Sequence, residues 1–245
     1  MSSLLEKYYP EVAVGGFTRC DGTIAFYTRI QALLSPNAAL LELGCGRGAH
    51  QDDPCAYRRD LRVFKGRCRR VVGIDVDKDA ADNPYLDEFR FIEDTARWPL
   101  DDGSFQIVVC DYVLEHVTNP GEFFREVRRI LAPGGYLCLR TVNRHSYISL
   151  ASRLIPARYH RRVLKVAQAG REEKDVFPTV YRCNTKRRIE RMLRGQGMNP
   201  AVYRIEPEPG YFRFSRLAYR LAVVAHAHMP SWCRSTLLAY ARRSD

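Results

Sequence analysis

Two rhythms of apolar and polar positions alternate along the chain. Short continuous apolar runs occupy residues 38–43 (AALLEL), 69–75 (RRVVGID), 89–93 (FRFIE), 105–111 (FQIVVCD) and 135–142 (GYLCLRTV). Their short length and continuous apolar character predict buried strands. Between them the apolar positions take a helical spacing. Ile24, Tyr27, Ile30 and Leu34 share one face of a helix over 23–34, which Ser35-Pro36-Asn37 breaks. Phe124, Val127, Ile130 and Leu131 share a face over 121–131, which Pro133-Gly134-Gly135 stops. The spacing also predicts a helix over 185–193, capped by Thr185 or Asn184 and ended by Gly195 and Gly197. Residues 201–206 and 236–241 (TLLAYA) read as two further strands.

Strands that are apolar throughout and alternate with amphipathic helices predict an α/β fold, with a mostly parallel sheet covered on both faces. The alternation lapses twice. Residues 144–183 have helical character around 148–155 and 161–169, and residues 207–233 contain the apolar run 217–227. Residues 1–37 are rich in aromatics and glycine and read as an N-terminal capping segment. Residues 38–245 read as one domain with those two insertions.

Composition supports a globular chain. Of 245 residues, 46% are hydrophobic and 27% charged, which excludes disorder as the dominant state. No apolar run is long enough to span a membrane, and the first residues lack the basic start and apolar core of a secretory signal. The eight cysteines form no Cys-x-x-Cys pair and no zinc spacing, so they are expected to be reduced thiols, with no metal site. The expected location is cytoplasmic.

The formal charge of +11 is uneven. Residues 1–150 hold 19 Lys/Arg against 21 Asp/Glu, whereas residues 151–245 hold 20 against 7. A basic C-terminal part is expected to meet an anionic partner: a phosphorylated or carboxylated small molecule, an anionic membrane or a nucleic acid.

The candidate chemistry sits at the ends of the predicted strands. Glu42-Leu43-Gly44-Cys45-Gly46-Arg47-Gly48 follows the first strand, and glycines there let backbone approach a ligand closely. A glycine turn alone is equally consistent with a plain tight turn. Here, however, Asp75 ends the second strand, Asp94 follows the third, and Asp111-Tyr112 ends the fourth. In parallel sheets this edge is where nucleotide-like ligands bind.

With these motifs the chain resembles the class I S-adenosylmethionine-dependent methyltransferases of the small-molecule type (methyltransferase-11-like domain). The residues that carry the likeness are ELGCGRG at 42–48, VVGID at 71–75, EDTARWPLDDGSF at 93–105, CDYVLEHV at 110–117 and LAPGGYL at 131–137. The resemblance implies a Rossmann-like, doubly wound, seven-stranded sheet with an antiparallel last strand and helices on both faces. The helical insertions would then roof the active-site edge.

It also implies S-adenosyl-L-methionine as cofactor, with S-adenosyl-L-homocysteine as product. Gly44, Cys45, Gly46 and Gly48 would pass beneath the methionine and ribose portions, and Glu42 would orient the loop. Asp75 would take the ribose and Val76 would pack on the adenine. Asp94 and Thr95 would meet the adenine amino group, and Asp111 and Tyr112 would line the methionine end. The 26 residues between Gly48 and Asp75 exceed the family's usual spacing, so the first helix is expected to start late.

Methyl transfer needs in-line positioning above all, and a general base only when the nucleophile carries a proton. His145 and His116 follow the fifth and fourth strands and are the candidate bases, although each also suits an ordinary packing or positioning role. Residues 144–183 hold nine Lys/Arg against three Asp/Glu, so the roof is expected to be basic. The expected acceptor is a small molecule bearing phosphate or carboxylate, free or lipid-linked, with peripheral contact to anionic membrane as a companion expectation. The competing classes are a nucleic-acid methyltransferase, a nicotinamide-dependent oxidoreductase and a non-catalytic cofactor-binding protein. No appended RNA-binding module is visible, so no stable nucleic-acid partner is expected. The glycine spacing fits the dinucleotide fingerprint poorly.

Overall fold

The computed structural model describes residues 4–93, 97–154 and 178–244. Seven strands form one sheet in the order β3-β2-β1-β4-β5-β7-β6. They are β1 (Ala39–Leu43), β2 (Arg70–Asp75), β3 (Glu88–Phe91), β4 (Phe105–Asp111), β5 (Leu131–Val142), β6 (Met198–Ile205) and β7 (Thr236–Arg243). β1 lies inside the sheet, with Leu41 opposite Val72 of β2 and Val108 of β4. Strands β1 to β5 pair in parallel, and β7 runs antiparallel between β5 and β6. The C-terminal ends of all the parallel strands therefore meet at one edge, where β7 begins.

Successive side chains along each strand point to opposite faces, and two apolar cores result. On one face Leu41, Val72, Val108 and Leu139 meet Phe124, Val127 and Ile130 of α4 (Pro120–Ile130) and Ile189 and Leu193 of α6 (Lys186–Gly195). On the other, Leu40, Val71, Ile107 and Cys138 meet Phe26 and Ile30 of α2 (Gly22–Leu33) and Leu61 of α3 (Ala56–Leu61). Among the described residues the remaining α-helices are α1 (Leu4–Tyr8), α5 (Tyr147–Leu154) and α7 (Arg216–Ala227).

Two elements begin earlier than local sequence predicts. β5 starts at Leu131, so Pro133 and Gly134 lie within the strand instead of before it. Its register to β4 slips between the Phe105–Leu131 and Ile107–Tyr136 pairs, and Gly134 takes φ +72° to absorb the excess. β6 starts at Met198 and contains Pro200, which is tolerated because β6 is the sheet's edge. The first helix after the glycine loop is late, as its long spacing predicts. A 3-10 turn at Ala49–Asp52 intervenes, and α3 starts at Ala56. Thr185, not Asn184, caps α6 by accepting from the Arg188 N–H at 3.3 Å. The second helical expectation of the first insertion, over 161–169, lies outside the described residues. All eight cysteines are unpaired thiols.

The entry of α2 is held by a single carboxylate. Asp21 Oδ1 accepts from the Thr23 and Ile24 N–H groups at 2.8 and 2.9 Å, and its Oδ2 accepts from Arg58 at 2.7 Å. Arg58 in turn forks onto Asp53. We expect Asp21→Ala to lower stability by about 1–2 kcal/mol in urea unfolding, the value of a lost N-cap. An unchanged midpoint would remove the cap from the account.

Candidate active site

The glycine loop leaves β1 at the sheet's ligand edge. Gly44 takes φ +65°, and a Cβ on it would stand 2.4 Å from Val113 Cγ2, so nothing larger fits. Gly46 takes φ +54° and faces open space. Its N–H donates to Asp75 Oδ2 at 2.9 Å, and the Asp77 N–H donates to Asp75 Oδ1 at 3.0 Å. The Asp75 carboxylate, 8% exposed, is thus oriented by two backbone donors. Asn83 braces the loop from below, donating to the Cys45 and Gly46 carbonyls at 3.2 and 3.0 Å. Gly48, at φ +77°, packs against Asn83 and Tyr85. Val76 lies beside Asp75 and is 47% exposed, an apolar surface at the rim.

The cleft beyond this loop is lined by Tyr27, Glu42, Leu43, Gly44, Cys45, His50, Arg62, Val109 and Asp111. Asp111 and Arg140 pair directly across β4 and β5. The guanidinium binds both carboxylate oxygens, at 2.6 and 2.7 Å, and also donates to Thr23 Oγ1 at 3.0 Å. The Tyr27 hydroxyl donates to Asp111 Oδ2 at 2.9 Å. Burial raises the Asp111 carboxyl, but Arg140, then Arg62 and the Tyr27 hydroxyl, overcome it and hold it below the usual carboxylate range. Tyr112, in the left-handed region at φ +56°, lies with its ring 4.8 Å from the Arg140 guanidinium. Strain of that kind in an aromatic residue is a marker of functional sites.

Arg62 stacks on the Tyr27 ring at 5.4 Å, and its Nε finds no partner among the described residues. The His50 ring lies 4.4 Å from that of Tyr85, tilted by 35°. Burial and then Arg62 push its imidazole down to about 4, so it is neutral at pH 7. Its buried Nε2 is likewise unpartnered among the described residues. Burial, against the pull of Arg62, pushes Glu42 up to about 8.

The structure therefore gathers Glu42, Gly44, Cys45, Gly46, Asp75 and Asp111 at one edge, with Gly48 and Val76 at the rim and Tyr112 beside Arg140. Asp94 and Thr95 lie outside the described residues. His116 ends a 3-10 turn, with Nδ1 2.9 Å from the Pro178 carbonyl. His145 is exposed in the turn after β5. Neither histidine lines the cleft. His50, Arg62, Asn83 and Arg140 join the site without having been singled out in the sequence. Arg140 had a visible signal, as a lone charge inside an apolar strand.

A second cavity, of about 310 Å³, lies at the same edge beyond β5. It is lined by Arg19, Cys20, Ala25, Ile205, Glu206, His226 and Arg234. Glu206 accepts from the Ser235 N–H and hydroxyl, and burial raises its carboxyl. His226 Nδ1 lies 3.2 Å from the Pro207 carbonyl and 3.5 Å from Glu206 Oε1. Burial lowers its imidazole, which favours the neutral ring.

Glu42 yields a pH-dependent expectation. Its folded-state value lies above the ordinary 4.5, so the folded protein holds an extra proton between those pH values. Its contribution is full below about 4.5 and is lost as pH rises through about 8. Glu42→Gln should therefore gain on the wild type, by roughly 4 kcal/mol, when urea unfolding is moved from pH 5 to pH 9. A constant difference across that range would refute the protonated, buried carboxyl.

Known proteins share both sequence and fold with this chain. A family model described as a methyltransferase domain matches residues 18–201. Over 115 residues the chain is 37% identical to the thiol S-methyltransferase TMT1B of Homo sapiens, a stretch covering 42% of each. Over 42 residues it is 48% identical to the ubiquinone biosynthesis O-methyltransferase of Caulobacter sp., 17% of each chain. The chain thus spans under half the length of either relative. The geranyl diphosphate C-methyltransferase of Streptomyces coelicolor, solved with S-adenosyl-L-homocysteine, shares the fold with a TM-score of 0.53 at 15% identity, covering 89% of this chain and 74% of that one. Motif order, sheet topology and the family match agree: the chain belongs to the class I S-adenosylmethionine-dependent methyltransferases.

Proposed function

We propose that the chain transfers the methyl group of S-adenosylmethionine to a small acceptor bearing phosphate or carboxylate. The observation that carries the cofactor half is the oriented Asp75 carboxylate. Its two oxygens each accept one backbone N–H and keep further lone pairs, the chemistry that a pair of vicinal ribose hydroxyls requires. Gly46 adds the open space that a ligand against the backbone needs. The unpartnered Nε of Arg62 and Nε2 of His50 are buried polar atoms of the kind a bound polar ligand satisfies.

In this reading Gly44, Cys45, Gly46 and Gly48 form the cradle and Glu42 supports it from β1. Val76 offers the apolar contact for a base, and Asp111 and Tyr112 form the wall toward the acceptor. The group supplies an activated methyl on a sulfonium. The protein's share of the work is alignment and exclusion of water.

The acceptor half rests on the second cavity. Arg19, which also pairs with Glu11 at 3.2 Å, and Arg234 flank it, and the Glu206 carboxyl is engaged by the Ser235 N–H and hydroxyl. His226 Nδ1–H donates to the Pro207 carbonyl, so Nε2 is the ring atom that accepts a proton from an acceptor hydroxyl or thiol. That role goes to His226 ahead of His116 and His145 because it alone of the three lines this cavity.

The test is methyl transfer from labelled S-adenosylmethionine to phosphate- and carboxylate-bearing small molecules, each beside its neutral analogue. Label should enter the anionic acceptors. Arg234→Ala should raise the acceptor KM about tenfold, the loss of one charge-assisted hydrogen bond, with cofactor affinity unchanged. Equal transfer to the neutral analogues, or an unchanged KM, would overturn the acceptor assignment.

A further inference from the structure

The helix after β6 carries two apolar stripes where its packing uses one. Tyr219, Ala222 and His226, spaced i, i+3 and i+7, turn toward the protein. Leu217, Leu221 and Val224, spaced i, i+4 and i+7, lie on the opposite side of α7 and are 67, 62 and 55% exposed. Phe214 before the helix is 65% exposed, and Trp232 after it is 59% exposed. Single exposed apolar residues are ordinary on protein surfaces, but a continuous outward row along one helix, with one exposed aromatic before it and another after it in the chain, is not.

The charge within and after this row is basic, and Glu208, which pairs with Arg213 at 3.8 Å, is the acidic group just before it. Residues 209–235 contain Arg213, Arg216, Arg220 and Arg234 and no Asp or Glu. Arg213, Arg216 and Arg220 are exposed, and on a helical wheel Arg216 and Arg220 flank the apolar row along one side. The row therefore fits a surface that is apolar beneath and anionic on top. A second copy of the chain fits poorly, because a two-fold pairing through this face would bring two sets of arginines together. Among the described residues no helix is long and apolar enough to cross a membrane, and α7 has only twelve residues.

We propose that α7, with Phe214 and Trp232 at its ends, lies in the interface of an anionic lipid bilayer. The leucine and valine row enters the headgroup boundary, and the arginines meet lipid phosphates. The aromatic rings anchor the two ends at headgroup depth. Because α7 follows the C-terminal end of β6, docking would bring the second cavity close to the lipid. The proposal does not depend on methyl transfer and stands or falls on binding alone.

The test is sedimentation of the full chain with vesicles of phosphatidylcholine alone and of phosphatidylcholine mixed with phosphatidylglycerol. The wild type should pellet with the anionic vesicles, less so at high salt, and stay largely in solution with the neutral ones. Leu217→Asp/Leu221→Asp should weaken the anionic partition by about tenfold or more, and Arg216→Gln/Arg220→Gln should remove its salt dependence. Both substituted pairs lie on the solvent side, and unchanged unfolding midpoints would confirm that the fold is kept. Failure to pellet, equal pelleting with both vesicle types, or full binding by the leucine variant would overturn the proposal. So would a dimeric wild type that the leucine variant renders monomeric, because a second copy would then be the occupant.

Discussion

The ion pair between Asp111 and Arg140 organises the ligand edge of the sheet. Adjacent parallel strands place the two residues opposite each other at the point where β4 ends. Taking two charges out of water costs several kcal/mol each, and only excellent geometry with further hydrogen bonds offsets that. Here the guanidinium forks onto both oxygens, Tyr27 donates to the carboxylate and Thr23 accepts from the guanidinium. Tyr27 and Thr23 both belong to α2. The pair thereby ties the N-terminal segment to the strand ends and sets the Tyr27 ring on which Arg62 stacks. Tyr27 and Asp111 of this cluster line the cleft beside the glycine loop.

The glycine loop and Asp75 form a second unit with its own logic. The loop is shaped by close approach: Val113 crowds Gly44, and Leu86 and Cys45 crowd Gly73 on β2. Its one open position, Gly46, is also the one that donates to Asp75. Shape and charge are thus fixed by the same few backbone atoms, before any ligand arrives. That is the form of preorganisation from which a positioning enzyme gains most.

The strands were largely legible because apolar runs and strand-end acids are local signals, whereas the seven-stranded sheet with its antiparallel last strand was legible only through the family resemblance. The early starts of β5 and β6 were not, because Pro133-Gly134 and Pro200 are locally strand-breaking. A register irregularity and an edge position make them acceptable, and both are properties of the assembled sheet. The same division holds at the site. Gly44, Gly46, Asp75 and Asp111 announce themselves by following strands. Asn83, Arg62 and His50 matter through partners distant in sequence or through the absence of one, which no spacing encodes. His116 and His145 were singled out by nearness to strand ends, while His226 reaches the edge from α7, through a chain reversal that periodicity does not reveal.

The most direct test of the central claim is calorimetric titration of the wild type and Asp75→Ala with S-adenosyl-L-homocysteine, with NAD as the control. The account predicts that the wild type binds the sulfur ligand and not NAD. It also predicts that Asp75→Ala weakens that binding by at least about tenfold, the loss of hydrogen bonds to a charged acceptor, with little change in unfolding midpoint. Binding of NAD, or an Asp75→Ala protein that binds as tightly as the wild type, would contradict it.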